Sequence, residues 1–569
     1  MNEIKHLLSQ FKKQLILGPF FKLLEAILEL FIPLVMASMI DAGIRVHNTR
    51  HVYLMGGLLI GLSLLGLGFA LLCQYSAAVA STGFSQKLRS KLFAHINSFG
   101  YEELDTVSAN SLITRLTNDV NQAEAALAMF IRLAVRAPFI IIGAAIMALL
   151  IDTTMSLIFV VIIPLVSLVL YLVMWRAVPY YSKRQKKLDD VSLITKENLE
   201  GVRVIRAFSN TGKERARFEG AASEVQQIAT HVGNLSAVLN PAIFTILNGA
   251  ILAILHIGAV QVNVGELTQG QVIALVSYTT QISLMLIVLA NLIILFTRAS
   301  ASIKRIAEIF EVKPKMAEGT ISSTAPNPVK IQFKNVSFRY PDAEELALDA
   351  LNFEILKGMT FGIIGGTGSG KSTLVNLMPR FYDVTSGQIL IDGIDVKEYA
   401  FTALRQKFGI VAQQANLFEG SIRHNLTLSN TEATLAELDL AVDTAQARNV
   451  LEAKNGYEAM LEQGGRNLSG GQRQRLTIAR ALVGNPEILI LDDSSSALDY
   501  ATDAALRASL ANYQEDLTIC IVSQRANSIK HAQLIIVLDE GQVAGIGTHE
   551  SLLERCAVYQ EICASQEVS

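Results

Sequence analysis

The chain has 569 residues, more than a single hydrophobic core accommodates, so at least two domains are expected. Its 48 Lys and Arg residues against 51 Asp and Glu residues give a net charge of −3. That balance excludes nucleic acid as the main partner, because duplex binding relies on an excess of clustered basic residues. The four cysteines show no metal-ligand spacing and are predicted to be inert thiols of a reducing compartment: Cys73, Cys520, Cys556 and Cys563.

The N-terminal segment, residues 1–14, is amphipathic. It places apolar side chains at helical spacing, with lysines on the other faces, at Ile4, Leu7, Leu8 and Phe11. The pattern predicts a short elbow helix in the membrane interface, although a soluble amphipathic helix would show the same spacing. The long apolar stretch that follows favours the interfacial helix. No removable signal peptide is expected, because a short apolar core with a small-residue cleavage site is missing.

Residues 15–310 are predicted to form a transmembrane domain. A helix needs about 20 apolar residues to cross a hydrocarbon core of ~30 Å. Six stretches are long enough, namely 19–40, 52–79, 128–150, 154–173, 241–262 and 272–296. Helical spacing continues into the polar segments after the second and fourth stretches. The spanning helices are therefore expected to extend beyond the membrane and return as hairpins.

The segments between the six stretches set the orientation. Those after the first, third and fifth are short, whereas residues 80–127 and 174–240 are long and rich in Lys and Arg. Because basic segments stay on the cytoplasmic side, both long segments and both termini are predicted to face the cytoplasm. The chain is thus expected to be a multi-pass protein of the cell membrane, with the lipid bilayer as a partner.

Two carboxylates interrupt the first span. Glu25 and Glu29 lie four residues apart, on one face of the predicted helix. A charge at the bilayer centre costs about 2.5 to 3.5 kcal/mol on insertion scales, so both should face the bundle interior or water. Two interpretations stay open: recognition of a cationic substrate in a cavity, or a structural or interfacial position. Arg132, Arg136 and Arg298, near span ends, are predicted to extend to the interface.

A polar segment, residues 311–328, joins the membrane half to a predicted α/β domain, residues 329–569. The alternating stretch 330–340 predicts an exposed edge strand. Further on, GGTGSGKST lies between an apolar strand and a helix and satisfies the pattern G-x-x-x-x-G-K-[ST]. Its residues are Gly365, Gly366, Thr367, Gly368, Ser369, Gly370, Lys371, Ser372 and Thr373.

This stretch predicts a phosphate-binding loop. Glycines let successive backbone N–H groups approach phosphate oxygens, at a helix N-terminus that already favours anions. Lys371 is predicted to reach the β- and γ-phosphates, and Ser372 to hold Mg²⁺. The alternative is a glycine-rich turn that binds nothing. Such a turn has no use for a Lys-Ser pair at these positions.

Two later stretches are predicted to act with this loop. Residues 487–492 form an apolar run that ends in Asp492, as expected of a buried strand that delivers a carboxylate toward Mg²⁺. LSGGQ precedes a basic amphipathic helix and predicts a second anion-binding helix start, with simple capping by Ser469 as the alternative. Its residues are Leu468, Ser469, Gly470, Gly471 and Gln472.

On these motifs the chain resembles an ATP-binding cassette (ABC) half-transporter of the exporter type, over essentially its whole length. It carries the Walker A loop, LSGGQ, Walker B and a D-loop SALD that ends at Asp499; SLITRLTNDV and ENLEGVRVIRAF match in the membrane half. The resemblance implies a type IV exporter-like bundle of six transmembrane helices. An α/β P-loop nucleotide-binding domain that uses ATP and Mg²⁺ would follow it.

The resemblance also implies roles for further residues. Tyr340 matches the aromatic residue that stacks on adenine, and Gln413 matches the Q-loop glutamine that contacts Mg²⁺ and senses the γ-phosphate. In the family, the LSGGQ of one cassette closes over ATP held by another, so a second half-transporter is required. Segments near 104–113 and 203–211 resemble the coupling helices, the second of which docks on the partner's cassette.

Two positions depart from the family pattern. Asp493 follows Walker B, at the position where the family usually has a Glu that polarises the attacking water. Gln524 occupies the position of the family's switch His. A carboxylate that retreats by about 1 Å can cost on the order of 10²-fold in rate, and an amide takes up no proton near neutral pH. The chain thus resembles the degenerate-site subunit of heterodimeric bacterial multidrug exporters, whose partner carries the Glu and the His.

Several alternatives stay open. A homodimer with two slow sites or a largely regulatory subunit would fit the same departures. A membrane-anchored P-loop kinase or motor has no need for LSGGQ, and an importer would lack a fused membrane half of this kind. The expected cargo is a small hydrophobic or amphiphilic compound such as a drug, with lipids and peptides as alternatives.

Overall fold

A computed structural model describes residues 1–323, 325, 327–341 and 343–567. The chain forms two compact units. A helical unit comprises Met1–Asn97 and Ala109–Val312, and an α/β unit comprises Ser98–Ser108 and Lys313–Ser569. The short insertion Ser98–Ser108 therefore leaves the helical part of the sequence and belongs to the α/β unit.

The helical unit contains most of the long helices. Among the described residues, twelve α-helices precede the first strand: α1 Asn2–Ser9, α2 Lys12–Ser38, α3 Thr49–Asn97, α4 Tyr101–Thr106, α5 Ala109–Thr114, α6 Val120–Met129, α7 Arg136–Ile151, α8 Thr153–Glu200, α9 Val202–Ala207, α10 Thr211–Ala237, α11 Leu239–Val264 and α12 Gln269–Glu311. Of these, α4 belongs to the α/β unit. Short π-helical segments continue α2 and join α5, α6 and α7 into a nearly continuous rod.

Six helices in the described part of the chain are long and apolar enough to cross a membrane. They are Lys12–Ile44, Thr49–Asn97, Ala109–Ile151, Thr153–Glu200, Thr211–Val264 and Gln269–Glu311. This confirms the six predicted spans. The fourth has 48 residues, which at about 1.5 Å per residue is far longer than a ~30 Å hydrocarbon core. This helix is therefore longer than a span requires, and the extension of the helices into the cytoplasm as hairpins stays a prediction.

The α/β unit alternates strands and helices. Its elements after α12 are β1 Val329–Phe338, β2 Leu348–Leu356, β3 Thr360–Gly365, α13 Lys371–Leu377, β4 Ser386–Ile391, β5 Ile394–Asp395, α14 Phe401–Gln406, β6 Phe408–Val411, β7 Gly420–Ser421, α15 Ile422–Leu426, α16 Leu435–Thr444, α17 Arg448–Ala453, β8 Met460–Leu461, α18 Gly470–Val483, β9 Ile488–Asp492, α19 Tyr500–Ala511, β10 Thr518–Val522, α20 Ala526–Ile529, β11 Leu534–Asp539, β12 Gln542–Gly547, α21 His549–Arg555 and α22 Ala557–Glu567.

A six-stranded sheet carries the predicted phosphate-binding loop and the strand that ends in Asp492. Its order is β12-β11-β3-β10-β9-β6, and all neighbours except β12 and β11 run parallel. Strands β3 and β9 are almost entirely buried, which explains their continuous apolar sequence. Because carboxyl ends of parallel strands meet at one edge, the loop after β3 and the acidic residues after β9 are brought to the same edge.

The structure corrects the prediction for the stretch 330–340. Strand β1 pairs with β2 on one side and β4 on the other, so it lies inside a four-stranded sheet rather than at its edge. A bulge between Phe333 and Val336 shifts its register. Sequence alternation reports which faces of a strand are covered. It does not report whether the backbone edges are paired, which is why the prediction was wrong.

A buried ion network joins the four-stranded and the six-stranded sheets of the α/β unit. Lys330 on β1 donates to Asp392 Oδ1 at 2.8 Å, and Lys407 donates to Asp392 Oδ2 at 3.0 Å and to Glu487 Oε1 at 2.9 Å. Lys330 also pairs with Glu487. Burial raises the pKa of Asp392, but hydrogen bonds from both lysines outweigh it and hold that pKa below its ordinary value.

We predict that Asp392→Asn lowers the free energy of unfolding by about 3 kcal/mol at pH 7, because it strips buried Lys330 of a counter-charge. Since the folded pKa of Asp392 is depressed, its contribution is present above the ordinary Asp value of about 3.9 and is lost as the pH falls through the folded value. Wild type and variant should therefore converge in stability in acid. Denaturant unfolding of the purified chain in detergent measures both effects.

The matched control is Asp516→Asn, which breaks the exposed ion pair between Lys357 and Asp516. An exposed pair contributes about 1 kcal/mol or less. Equal losses in the two variants would contradict a special role for the buried network.

Candidate functional site

The predicted phosphate-binding loop connects β3 to α13. Gly368 and Gly370 have φ values of 84° and 94°, a region that favours glycine. A Cβ on Gly370 would stand 2.6 Å from Leu348 Cδ2 and 2.8 Å from the Ala347 carbonyl. Both the backbone conformation and the lack of space therefore require glycine at this position, immediately before Lys371.

Lys371 folds back across the loop. Its Nζ donates to the carbonyls of Gly365 at 2.9 Å and Gly366 at 2.6 Å, and the residue is 9% exposed. Burial lowers the pKa of Lys371, and the charges of Asp492 and Asp493 act in the opposite direction. The Lys371 ammonium is hydrogen-bonded to neutral carbonyls rather than to a carboxylate. Its positive charge is therefore available to an anion that binds in the loop.

Asp492 ends strand β9 beside the loop. Burial, followed by the charge of Asp493, raises the pKa of Asp492, while Lys371 and a hydrogen bond from Ser372 act to lower it. Two adjacent carboxylates thus repel each other in a confined space. Oxygen ligands are those that Mg²⁺ prefers, and a divalent cation would relieve this repulsion. The donor set of Ser372, Asp492 and the Gln413 side chain fits the magnesium that the motifs imply.

A cavity of about 440 Å³ opens at this edge of the sheet. It brings together the predicted residues Tyr340, Thr367, Gly368, Gly370, Lys371, Ser372, Thr373, Gln413, Asp492, Asp493 and Gln524. Gly365, Gly366 and Ser369 belong to the loop but do not line the cavity. Ala347, Val522 and Ser523 also line it and were missed. Val522 and Ser523 lie at the carboxyl end of the parallel strand β10, and ligands bind at such strand ends. The apolar run that precedes them in the sequence could have predicted their position.

Tyr340 stands at one wall of the cavity. Its hydroxyl is hydrogen-bonded to Thr373 Oγ1 at 3.1 Å. Its ring packs edge-on against Phe338 and Tyr382, with centroids 4.9 and 5.5 Å apart. These contacts hold an aromatic face beside the phosphate loop, which is the geometry that base stacking requires.

The two departures from the family pattern occupy the same cavity. Asp493 has a φ of 46°, a left-handed conformation that Asp tolerates better than most residues. Its N–H donates to the Val522 carbonyl at 2.9 Å, and its Oδ2 lies 3.5 Å from Gln413 Nε2. Gln524 lies two residues beyond the end of β10. Both side chains therefore face the space that Lys371 and Asp492 also line.

The signature residues 468–472 lie outside this cavity. The Ser469 hydroxyl accepts from the Gln472 N–H at 3.3 Å, and Gln472 Oε1 accepts from the Ser469 N–H at 2.9 Å. This capping box starts α18, so Ser469 caps the helix, and the anion-binding role of this helix start stays a prediction. Leu468 is buried, whereas Ser469 and Gly470 are exposed, and Gly471 approaches the Ala497 carbonyl. Asp499 of the D-loop caps α19 by accepting from the Thr502 N–H at 2.9 Å.

Helix α4 overlaps the first predicted coupling segment, 104–113, which Ser108 (φ 32°) divides into α4 and α5. Within the α/β unit, the Tyr101 ring stacks on Phe381 with centroids 4.4 Å apart, and the Tyr382 hydroxyl donates to Asp105 Oδ2 at 2.7 Å. Burial is the main cause that raises the pKa of Tyr382, so this hydroxyl remains a donor. The second predicted segment, 203–211, overlaps α9.

The membrane carboxylates are both paired. Glu29 accepts from Arg136 Nη2 of α7 at 2.7 Å, and Glu25 accepts from Lys22 Nζ at 2.7 Å. The Arg136 guanidinium turns to Glu29 of α2, and its position at the membrane interface stays a prediction. These ion pairs favour the structural interpretation of both glutamates.

Together, the six apolar helices and the phosphate-loop cavity define a membrane protein with an attached P-loop nucleotide-binding domain. Residues 15–287 match the model of the ABC transporter transmembrane region, and residues 348–496 match that of the ABC transporter domain.

Relatives align over nearly the whole chain. The uncharacterized ABC transporter ATP-binding protein YfiB of Bacillus subtilis (strain 168) is 37% identical over 546 residues, covering 96% of this chain and 95% of the relative. An uncharacterized ABC transporter ATP-binding protein of Mycobacterium tuberculosis (strain ATCC 25618 / H37Rv) is 34% identical, covering 96% and 95%. An ATP-dependent lipid A-core flippase of Vibrio vulnificus (strain CMCP6) is 28% identical, covering 95% and 93%.

The chain belongs to the ABC transporter family. It is an exporter-type half-transporter, a multi-pass membrane protein with one transmembrane region and one cytoplasmic cassette of the ATP-hydrolysing class.

We predict that Lys371→Ala weakens ATP binding about 100-fold, because hydrogen bonds to charged groups contribute roughly 1.5 to 3 kcal/mol each. Equilibrium binding of ATP to the purified chain in detergent measures the loss. Lys357→Ala, which removes a lysine from the surface of the same unit, is the control and should bind as wild type does. A Lys371→Ala variant with unchanged affinity would contradict the assignment of the loop.

Proposed function

We propose that this chain is the slow-hydrolysing half of a heterodimeric exporter. One observation carries the proposal: Asp493 and Gln524 line the same cavity as Lys371 and Asp492. Both departures would therefore act on a single bound ATP. The groups that bind nucleotide keep their usual chemistry, whereas the two that assist hydrolysis are each weakened.

At this site the chain's own residues would bind and orient ATP. Tyr340 would stack on the base, and the backbone of the loop with Lys371 would hold the phosphates. Ser372, Asp492 and Gln413 would hold Mg²⁺, which neutralises phosphate charge when bound. The Asp493 carboxylate, shorter than a Glu, would stand back from the water that a general base must reach. Gln524 would donate a hydrogen bond to the γ-phosphate without taking up a proton.

The partner would complete both sites. The exposed start of α18, at Ser469 and Gly470, does not line this chain's cavity and is free within the α/β unit to cover nucleotide on another cassette. A partner that carries Glu after Walker B and a switch His would then supply the competent site, closed by this chain's LSGGQ. Hydrolysis there would reset the transporter, while ATP held at Lys371 would keep the cassettes together.

For the cargo, we propose a hydrophobic or amphiphilic compound, and the membrane charges refine its class. Lys22 and Arg136 each pair with one of the two membrane carboxylates, and Arg132 adds a third positive charge to the helical unit. Among the described residues, the buried Nε atoms of Arg132 and Arg136 have no hydrogen-bond partner. This excess of positive charge favours an amphiphile with an anionic head over a cationic drug. The name of the Vibrio vulnificus relative, a lipid A-core flippase, is consistent with lipid-like cargo.

The remaining alternatives predict different behaviour of the transporter. A homodimer with two slow sites would need no second gene product and would hydrolyse ATP weakly at both cavities. A largely regulatory subunit would tolerate loss of Lys371 without loss of transport. A peptide exporter has no specific observation in its favour.

We predict that Asp493→Glu combined with Gln524→His raises steady-state ATP turnover of the complex by about tenfold or more, because it returns a general base within reach of the attacking water. Copurification from native membranes would supply the partner, and phosphate release would measure turnover. Asp503→Glu, on α19 outside the cavity, is the matched control. Brisk hydrolysis by the wild-type chain alone, abolished by Asp493→Asn, would contradict the heterodimer.

A second prediction tests the cargo class. Glu29→Gln should leave the affinity for a cationic dye unchanged, because Glu29 is committed to Arg136. Arg132→Gln should weaken stimulation of ATP turnover by dodecyl phosphate about tenfold, the effect of one charge-assisted contact. Arg298→Gln, at an exposed position of α12, is the control. Loss of dye affinity in Glu29→Gln would instead support cation recognition.

A further inference from the structure

The C-terminal helix α22 lies against the elements that flank the nucleotide cavity. Tyr559 on α22 is fully buried and shares an apolar cluster with Ile364 and Ile529. Ile364 belongs to β3, directly before the phosphate loop. Ile529 belongs to α20, which directly follows the switch segment, residues 523–525 around Gln524. The helix is therefore anchored under both sides of the site.

One side chain of α22 binds the switch segment itself. Gln566 Nε2 donates to the carbonyl of Gln524 at 2.7 Å, and Gln566 Oε1 accepts from the N–H of Ala526 at 2.8 Å. A single amide thus holds the backbone on both sides of Arg525. Ala526 is 8% exposed, so its N–H depends on this acceptor for a partner out of water.

Ser523, the residue before Gln524, is held by strand β3 and by Arg525. The Ser523 N–H donates to the Ile363 carbonyl of β3 at 3.1 Å, and the Ser523 hydroxyl accepts from the Arg525 N–H at 3.0 Å. Gln524 lies between these attachments, with an exposed side chain that lines the cavity. Its backbone is held on both sides, so the point from which its side chain starts depends in part on Gln566.

We propose that Gln566 is a positioning residue, through which the C-terminal helix sets the reach of Gln524 toward the γ-phosphate. The inference rests on the proposed nucleotide site and goes beyond it, because it assigns control of γ-phosphate sensing to a helix that touches no nucleotide. Since only ATP carries a γ-phosphate, loss of this contact weakens ATP binding and spares ADP. The preference for ATP over ADP is therefore the quantity that Gln566 controls.

The test measures equilibrium binding of Mg-ATP and Mg-ADP to the full-length chain in detergent. Gln566→Leu removes both hydrogen bonds, and the expected result is a fall of about 3- to 10-fold in the ATP-to-ADP affinity ratio, the effect of one or two hydrogen bonds. Gln566→Glu keeps an acceptor for the Ala526 N–H but replaces the donor to Gln524 with a carboxylate oxygen that repels the Gln524 carbonyl, and a fall is expected here as well. The ADP affinity should stay unchanged in both.

The matched control is Gln560→Leu on the same helix, which removes a hydrogen bond from Gln560 Nε2 to the Leu553 carbonyl, away from the switch segment. It should keep the wild-type ratio. An unchanged ratio in both Gln566 variants, an equal loss of ATP and ADP affinity, or the same fall in Gln560→Leu would each overturn the positioning role. If Gln566→Leu lowers the Tm, its affinity ratio could reflect poorer folding, and the affinity ratio of Gln566→Glu then decides whether Gln566 positions Gln524.

Failure of the underlying site would look different. If Lys371→Ala retained full affinity for both nucleotides, the cavity would not be the nucleotide site and the proposed function would fail. If Lys371→Ala abolished binding while the Gln566 variants kept the wild-type ratio, the proposed function would stand and only the role of Gln566 would be overturned.

Discussion

The candidate site depends on the parallel pairing of β10 with β3 on one side and β9 on the other. In this register Ile363, Val522 and Asp492 form one row across the sheet. Each strand then ends within two residues, which brings the phosphate loop, Gln524 and Asp493 to one edge. A slip of one residue in β10 would turn Gln524 away from the loop. The buried apolar faces of these strands hold the register, so the packing of the core determines the geometry of the chemistry.

In both units, a charged side chain away from water is paired with an opposite charge. In the α/β unit, Lys330 and Asp392 lie buried and pair between the neighbouring strands β1 and β4. In the helical unit, Glu29 and Arg136 meet between α2 and α7. An unpaired charge is costly in either environment, so each pair stabilises one arrangement of its elements.

Much of the organisation was predictable from local pattern. The six spans, the position of the phosphate loop and the buried strand that ends at Asp492 all follow from hydrophobic run length and glycine spacing, and the structure confirms them. The edge prediction for β1 was wrong, because alternation carries no information on edge pairing. The partner of Glu29 was open for a related reason: Arg136 is more than a hundred residues away, and sequence spacing does not report which helices meet.

The sequence by itself determined the class of protein, because phosphate binding, membrane crossing and the motif order each depend on residue types at short spacing. It also supplied the hypothesis of a slow-hydrolysing site, since Asp493 and Gln524 differ from their usual counterparts in length and proton affinity whatever the fold. Only the tertiary structure decided that both face one cavity and that Gln566, 42 residues beyond Gln524, binds the switch segment. The physical reason is that such contacts arise from strand order and helix packing, which bring distant residues within hydrogen-bonding distance and leave no local signal.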